Sequence, residues 1–96
     1  MSADVYLVIV SPDQEAVVLR RWLGGNGVRD CAKTSLGRAP DHADQAEGSL
    51  TWRVRSAEAV EIAKAHYAEG ATPQDVRGWA KEYPEDAFWW SLVIGY

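Results

Sequence analysis

The chain is poor in the residues that usually announce a function. It has one cysteine, Cys31, which excludes an internal disulfide and makes a reducing, cytoplasmic setting the expected one. Its two histidines, His42 and His66, leave little for acid–base chemistry, and no nucleophile, base and orienting group fall into a recognisable spacing. The apolar runs Val5–Val10 and Ala87–Gly95 fall far short of the ~20 residues a membrane helix needs. Met1–Asp4 lacks the basic start of a secretory leader, so a soluble protein without membrane association is expected. Glycine is clustered at Gly24, Gly25 and Gly27, after a stretch read below as a helix. Glycines in that position cannot set a helix N-terminus on a phosphate, so no cofactor is expected.

Positive charge is also scarce. Ten Lys and Arg face fourteen Asp and Glu, and the deficit lies after residue 40, where five cations face ten acids. Such a balance disfavours nucleic acid and anionic lipid and suits a basic protein partner.

What is present is a core. Ninety-six residues, 47% hydrophobic with five Trp and four Tyr, make one domain over 1–96. Ala87-Phe88-Trp89-Trp90-Ser91-Leu92-Val93-Ile94-Gly95 is the most apolar stretch, too aromatic and β-branched for a helix, and Val5–Val10 matches it. These read as two strands lying side by side. In the tail, alternation puts Phe88, Trp90, Leu92 and Ile94 on one face and Trp89, Ser91 and Val93 on the other.

Between them, Ser11-Pro12-Asp13-Gln14 carries the cap and first-turn proline of a helix start, and Ala16, Leu19 and Leu23 follow as an apolar stripe flanked by Val18 and Trp22. Val28–Leu36 reads as a weaker strand, with Val28, Ala32, Thr34 and Leu36 in one phase. Residues 37–48 have no apolar period and read as a mobile loop. Asp41, His42 and Asp44 within it are weak metal candidates, because one histidine on a flexible loop lacks a second shell, and no metal is expected. Ser49–Arg55 alternates cleanly as a strand. Ser56–Glu69 reads as a helix with Val60, Ala63 and Tyr67 inward. Thr72-Pro73-Gln74-Asp75 opens another, carrying Val76, Trp79, Ala80 and Tyr83, with Trp79 as its anchor.

The resulting order, β-α-β-β-α-β with an extra helix before the last strand, is α+β and resembles the ferredoxin-like split βαβ arrangement. That layout makes Val5–Val10 and Ser49–Arg55 the central pair of the sheet. The fold carries no activity by itself.

Surplus hydrophobicity gives the functional expectation. Tyr6, Val8, Val10, Trp89 and Val93 occupy the second face of their strands, where a sheet covered by helices on one side needs no apolar residues. They form a candidate protein-binding face, and the expected function is a small acidic binding module. It would act by protein–protein association, as a regulatory or inhibitory partner or as a homodimer. Its size and acidity are those of small phage- or mobile-element-encoded inhibitors. Two alternatives stand beside this. One is a dimeric α+β barrel that binds or turns over a small molecule, for which Cys31 would need His42 or His66 nearby. The other is an RNA- or DNA-binding domain using Arg29, Lys33, Arg53 and Arg55 as a basic sheet face. The acidic pI near 5.0 and the lack of paired aromatics beside those cations make nucleic acid the weaker expectation, and an enzyme is not the leading one.

Overall fold

The computed structural model describes residues 3–64 and 70–95. The class is α+β: five strands form one antiparallel sheet, and three helices lie against it. In chain order the elements are β1 (Asp4–Ser11), β2 (Ala16–Gly24), α1 (Asn26–Leu36), β3 (His42–Asp44), β4 (Ser49–Arg53), α2 (Ser56–Lys64), α3 (Pro73–Glu82) and β5 (Trp89–Gly95). The strand order is β2-β1-β5-β4-β3. It differs from the split βαβ layout: β5, not the Val5–Val10/Ser49–Arg55 pair, holds the centre. The two most apolar strands are neighbours, as expected, in register from Asp4–Gly95 to Val10–Trp89.

Two elements are corrected. The expected helix after Ser11 is the strand β2, joined to β1 by the four-residue turn Pro12-Asp13-Gln14-Glu15, with Glu15 at a φ of 50°. Proline, acids and an amide between two β-branched runs are hairpin chemistry as readily as a helix start. The expected strand Val28–Leu36 is the helix α1. Its buried residues Val28, Ala32 and Leu36 are four apart, a spacing that satisfies an alternating strand and a helix face equally. The glycines before it therefore precede a helix after all. Asn26, at its start, accepts the Ala3 amide at 2.7 Å and ties the N-terminal strand to this turn.

The remaining elements follow their sequence signals more closely. The α3 start has the full reciprocal cap: the Asp75 amide donates to Thr72 Oγ1 at 3.1 Å and the Thr72 amide to Asp75 Oδ2 at 3.0 Å. At the start of α2 the first amides are met by two carboxylates. Glu58 accepts the Arg55 amide at 3.0 Å, and Glu85 accepts the Ser56 amide. The expected continuation of α2 to Glu69, with Tyr67 and His66, lies outside the described residues. Residues 37–48 hold the short strand β3, paired to β4. This segment is further tied down by Trp52 Nε1 donating to the Arg38 carbonyl at 2.9 Å and the Arg53 amide donating to Asp41 at 2.7 Å.

One core lies between the sheet and the helices. Val5, Leu7 and Ile9 of β1, Leu19 and Leu23 of β2, Trp52 of β4, and Trp90, Leu92 and Ile94 of β5 meet Val28, Ala32 and Leu36, Ala59, Ile62 and Ala63, and Val76. Trp90 also satisfies its indole N–H on the Tyr83 carbonyl at 2.8 Å. In α3 it is Val76 that is fully buried, while Trp79 is only partly so and carries Arg21 over its ring at 5.8 Å. Gly70 passes so close to β2 that a Cβ there would lie 2.5 Å from the Trp22 carbonyl oxygen. Among the described residues no helix is long and apolar enough to cross a membrane.

Candidate functional site

The register assembles the other face of the sheet, the one turned away from the helices, into four rows across the strands. Asp4, Gly95, Ser49 and Asp44 make the first. Trp22, Tyr6, Val93, Thr51 and His42 make the second. Arg20, Val8, Ser91 and Arg53 make the third, and Val17, Val10 and Trp89 the fourth. Directly paired residues point to the same side of an antiparallel sheet, so these side chains share one surface. No helix among the described residues packs on it. Trp89 remains 49% exposed, Trp22 41% and Val17 57%, against 2% for Trp90 one residue along the same strand.

All five residues expected to form a protein-binding face, Tyr6, Val8, Val10, Trp89 and Val93, lie together here. The structure adds residues that the helical reading of β2 hid: Val17, Arg20 and Trp22. Alternation of Arg20 and Trp22 about Arg21 in a β-branched run was the available signal, overridden by the Ala16–Leu19–Leu23 stripe. The expected basic face is not assembled. Arg29 and Lys33 sit on α1, in the helix layer, because that segment is not a strand. Arg53 is on the open face, and Arg55 lies just past β4 at the start of α2.

The electrostatics of the face are organised by arginine on aromatic rings. The Arg20 guanidinium lies 4.0 Å from the Tyr6 ring centroid and that of Arg53 4.9 Å from the Trp89 ring. Such stacking holds each cation flat against the sheet. Trp22 Nε1 donates to Asp4 Oδ1 at 3.1 Å, linking the first two rows. The two arginines are matched by Asp4 and Asp44, so the face is close to neutral although the chain carries a net −4.

A cavity of about 690 Å³ opens beside the start of α2, lined by Arg38, Arg53, Val54, Arg55, Ala57 and Glu58. Three arginines around a helix start suggest an anion, and one carboxylate of the chain, Glu58, already fills that role for Arg38. Arg38 donates to both Glu58 oxygens, at 2.7 and 3.3 Å, and that hydrogen bond holds the Glu58 carboxyl below its usual range against an opposing effect of burial.

The remaining chemical candidates are not brought together. Asp41 and Asp44 spend their carboxylates on backbone amides, of Arg53 and of Ala46 and Glu47. Among the described residues no group of three His, Cys, Asp or Glu could hold a metal. Cys31 is half-buried on α1, in the helix layer, whereas His42 is on the opposite face of the sheet. His66 lies outside the described residues. Comparison with protein-family models, with curated proteins and with solved structures finds no match.

Proposed function

We propose that this chain is a binding module that works by protein–protein association through the open face of its sheet, as a regulatory or inhibitory partner or as a homo-oligomer. One observation carries the reading: Tyr6, Trp22 and Trp89 share an uncovered face with two arginines already stacked on aromatic rings. Trp, Tyr and Arg are the residues in which interfaces concentrate their energy, and leaving large aromatic surface in water is unfavourable without a role. Pre-stacked arginines also lose less side-chain freedom on docking.

Aromatic rings beside arginine also suit unpaired bases, the second reading. Against it, Asp4 and Asp44 cancel the two cations, and counterion release needs net positive charge. A small-molecule site has less support, since the face is broad and forms no enclosed cavity among the described residues.

Site-specific photo-crosslinking tests the proposal. A benzophenone side chain placed at position 8, at the centre of the open face, should yield covalent protein adducts in cells of the source organism. The same group at position 34, exposed on α1, should not. Adducts from position 34 alone, or from neither, would overturn the reading.

A further inference from the structure

Resting on that reading, we infer that the occupant of the open face is a second copy of this chain, packed sheet to sheet about a two-fold axis that runs across the strands near the Trp22–Tyr6–Val93–Thr51 row.

The charge pattern carries this. Along the strand direction the rows run acidic, aromatic, basic and apolar: Asp4 and Asp44 in the first, Arg20 and Arg53 in the third, with the Tyr6 row midway between them. A two-fold axis lying on the middle row and perpendicular to the strands reverses that order in the second copy. It sets each acidic row over the other copy's basic row, twice, as an isologous contact must. Asp4 then comes within one strand of Arg20 of the second copy, and Asp44 within one strand of Arg53. The Tyr6 and Trp22 side chains meet their own counterparts, with Val93 and Thr51 between. An axis parallel to the strands produces no such match, because both acids then face the other copy's acidic row and both arginines its basic row.

Shape agrees. The chain measures 35 × 31 × 20 Å, a slab with helices on one side and, among the described residues, bare sheet on the other. Strands of eight, nine, three, five and seven residues at about 4.8 Å spacing and about 3.3 Å per residue present roughly 500 Å² in projection. The axis overlaps the first three rows and leaves Val17, Val10 and Trp89 at the edge, so the contact is smaller than the ~800 Å² per partner of a standard interface and leans on its charge match. Two sheets stacked about 10 Å apart give four layers, helix–sheet–sheet–helix. The excess acid lies outside this contact, for example at Glu61, Glu82, Glu85 and Asp86, all exposed, so repulsion between copies is kept away from the interface.

Sedimentation equilibrium on the purified full chain from 1 to 500 μM tests it, with far-UV circular dichroism checking that each variant is folded. The parent should reach twice its 10.6 kDa mass. Arg20→Asp and Asp4→Arg should each weaken dimerisation at least tenfold, and the double exchange should recover the parent value to within about threefold. Arg53→Glu, at the other end of the same row, provides a second probe should Arg20→Asp misfold, and should weaken the dimer likewise. A monomer at every concentration would overturn the inference, as would a dimer indifferent to these charges. So would a folded monomer that instead binds a 12-nucleotide single strand at physiological salt. A monomer whose position 8 still crosslinks to another protein would defeat this inference and leave the proposed function standing. Silence at position 8 would defeat both.

Discussion

Leu7 and Val8 are neighbours on β1, as are Trp90 and Trp89 on β5, yet each pair lies in two different molecular environments. On the helix side Leu7 and Trp90 are buried among Val28, Ile62 and Val76. On the other side Val8 and Trp89 share a nearly neutral surface with stacked arginines and no covering element among the described residues. Both faces are rich in large apolar side chains, so hydrophobicity alone does not separate the core from the proposed contact surface. What separates them is the company kept: among the described residues no charged side chain is buried on the helix face, whereas the open face interleaves arginine and aspartate between the rings. Apolar residues accompanied by balanced charge, its arginines stacked on rings, suit a surface that is sometimes wet.

The comparison breaks most visibly at the two tryptophans. Trp90→Ala removes a buried indole and its hydrogen bond to Tyr83, and should cost about 3–5 kcal/mol. Trp89→Ala, one residue away, should stay within about 1 kcal/mol of the parent. Urea denaturation of the two variants checks the contrast, and equal losses would mean the faces are not distinct.

A second effect concerns what holds α3 on the helix side. Gly70→Ala forces a methyl group against the Trp22 and Leu23 backbone, where no flexible side chain can yield. A loss of about 1–3 kcal/mol is expected, read as a lower thermal midpoint. Next, Thr72→Ala deletes one half of the α3 cap and should cost about 1 kcal/mol by the same measurement.

The smallest effect is electrostatic. The folded-state pKa of Glu58 is depressed, chiefly by its hydrogen bond with Arg38. Its contribution is therefore fully present above the unfolded carboxylate pKa and is lost as pH falls through the folded value. Because both partners are substantially exposed, at 42% and 30%, the pair is worth at most about 1 kcal/mol. Glu58→Gln should lower stability at pH 7 by no more than that and flatten the acid limb of the stability–pH curve, the variant and parent curves converging as pH falls below the folded Glu58 value.

Much of this division was legible in the residues. The alternation of Phe88, Trp90, Leu92 and Ile94 against Trp89, Ser91 and Val93 gave the two faces of β5 directly, because a period of two has one solution once one set is wholly apolar. The cap at Thr72 and Asp75 was legible for the same reason: local hydrogen bonding decides it. The hairpin of β1 and β2 was not. Ser11-Pro12-Asp13-Gln14 is good chemistry for a helix start and for a turn, and the choice is made by β1 offering a free edge to Val17–Trp22, a long-range fact. At Val28, Ala32 and Leu36 the ambiguity is arithmetical, since steps of four fit both periods. These two exchanges moved Arg20 and Trp22 onto the open face and took Arg29 and Lys33 off it. They left the expected face of Tyr6, Val8, Val10, Trp89 and Val93 in place with two residues added, and they broke up the alternative basic face. Trp79 shows a milder version: its stripe was right, but burial falls on Val76 because α3 lies with its Trp79 edge toward Arg21 and solvent.

The central claim, that one face of the sheet is core and the other a contact surface, is tested most directly by placing the same charge on adjacent residues of β1. Leu7→Arg and Val8→Arg should be compared by circular dichroism and by sedimentation equilibrium. Leu7→Arg should unfold the chain, since an unpaired cation would be driven into the core. Val8→Arg should keep the parent spectrum and lose association. An unfolded Val8→Arg, or a folded one that associates as the parent does, would contradict the account.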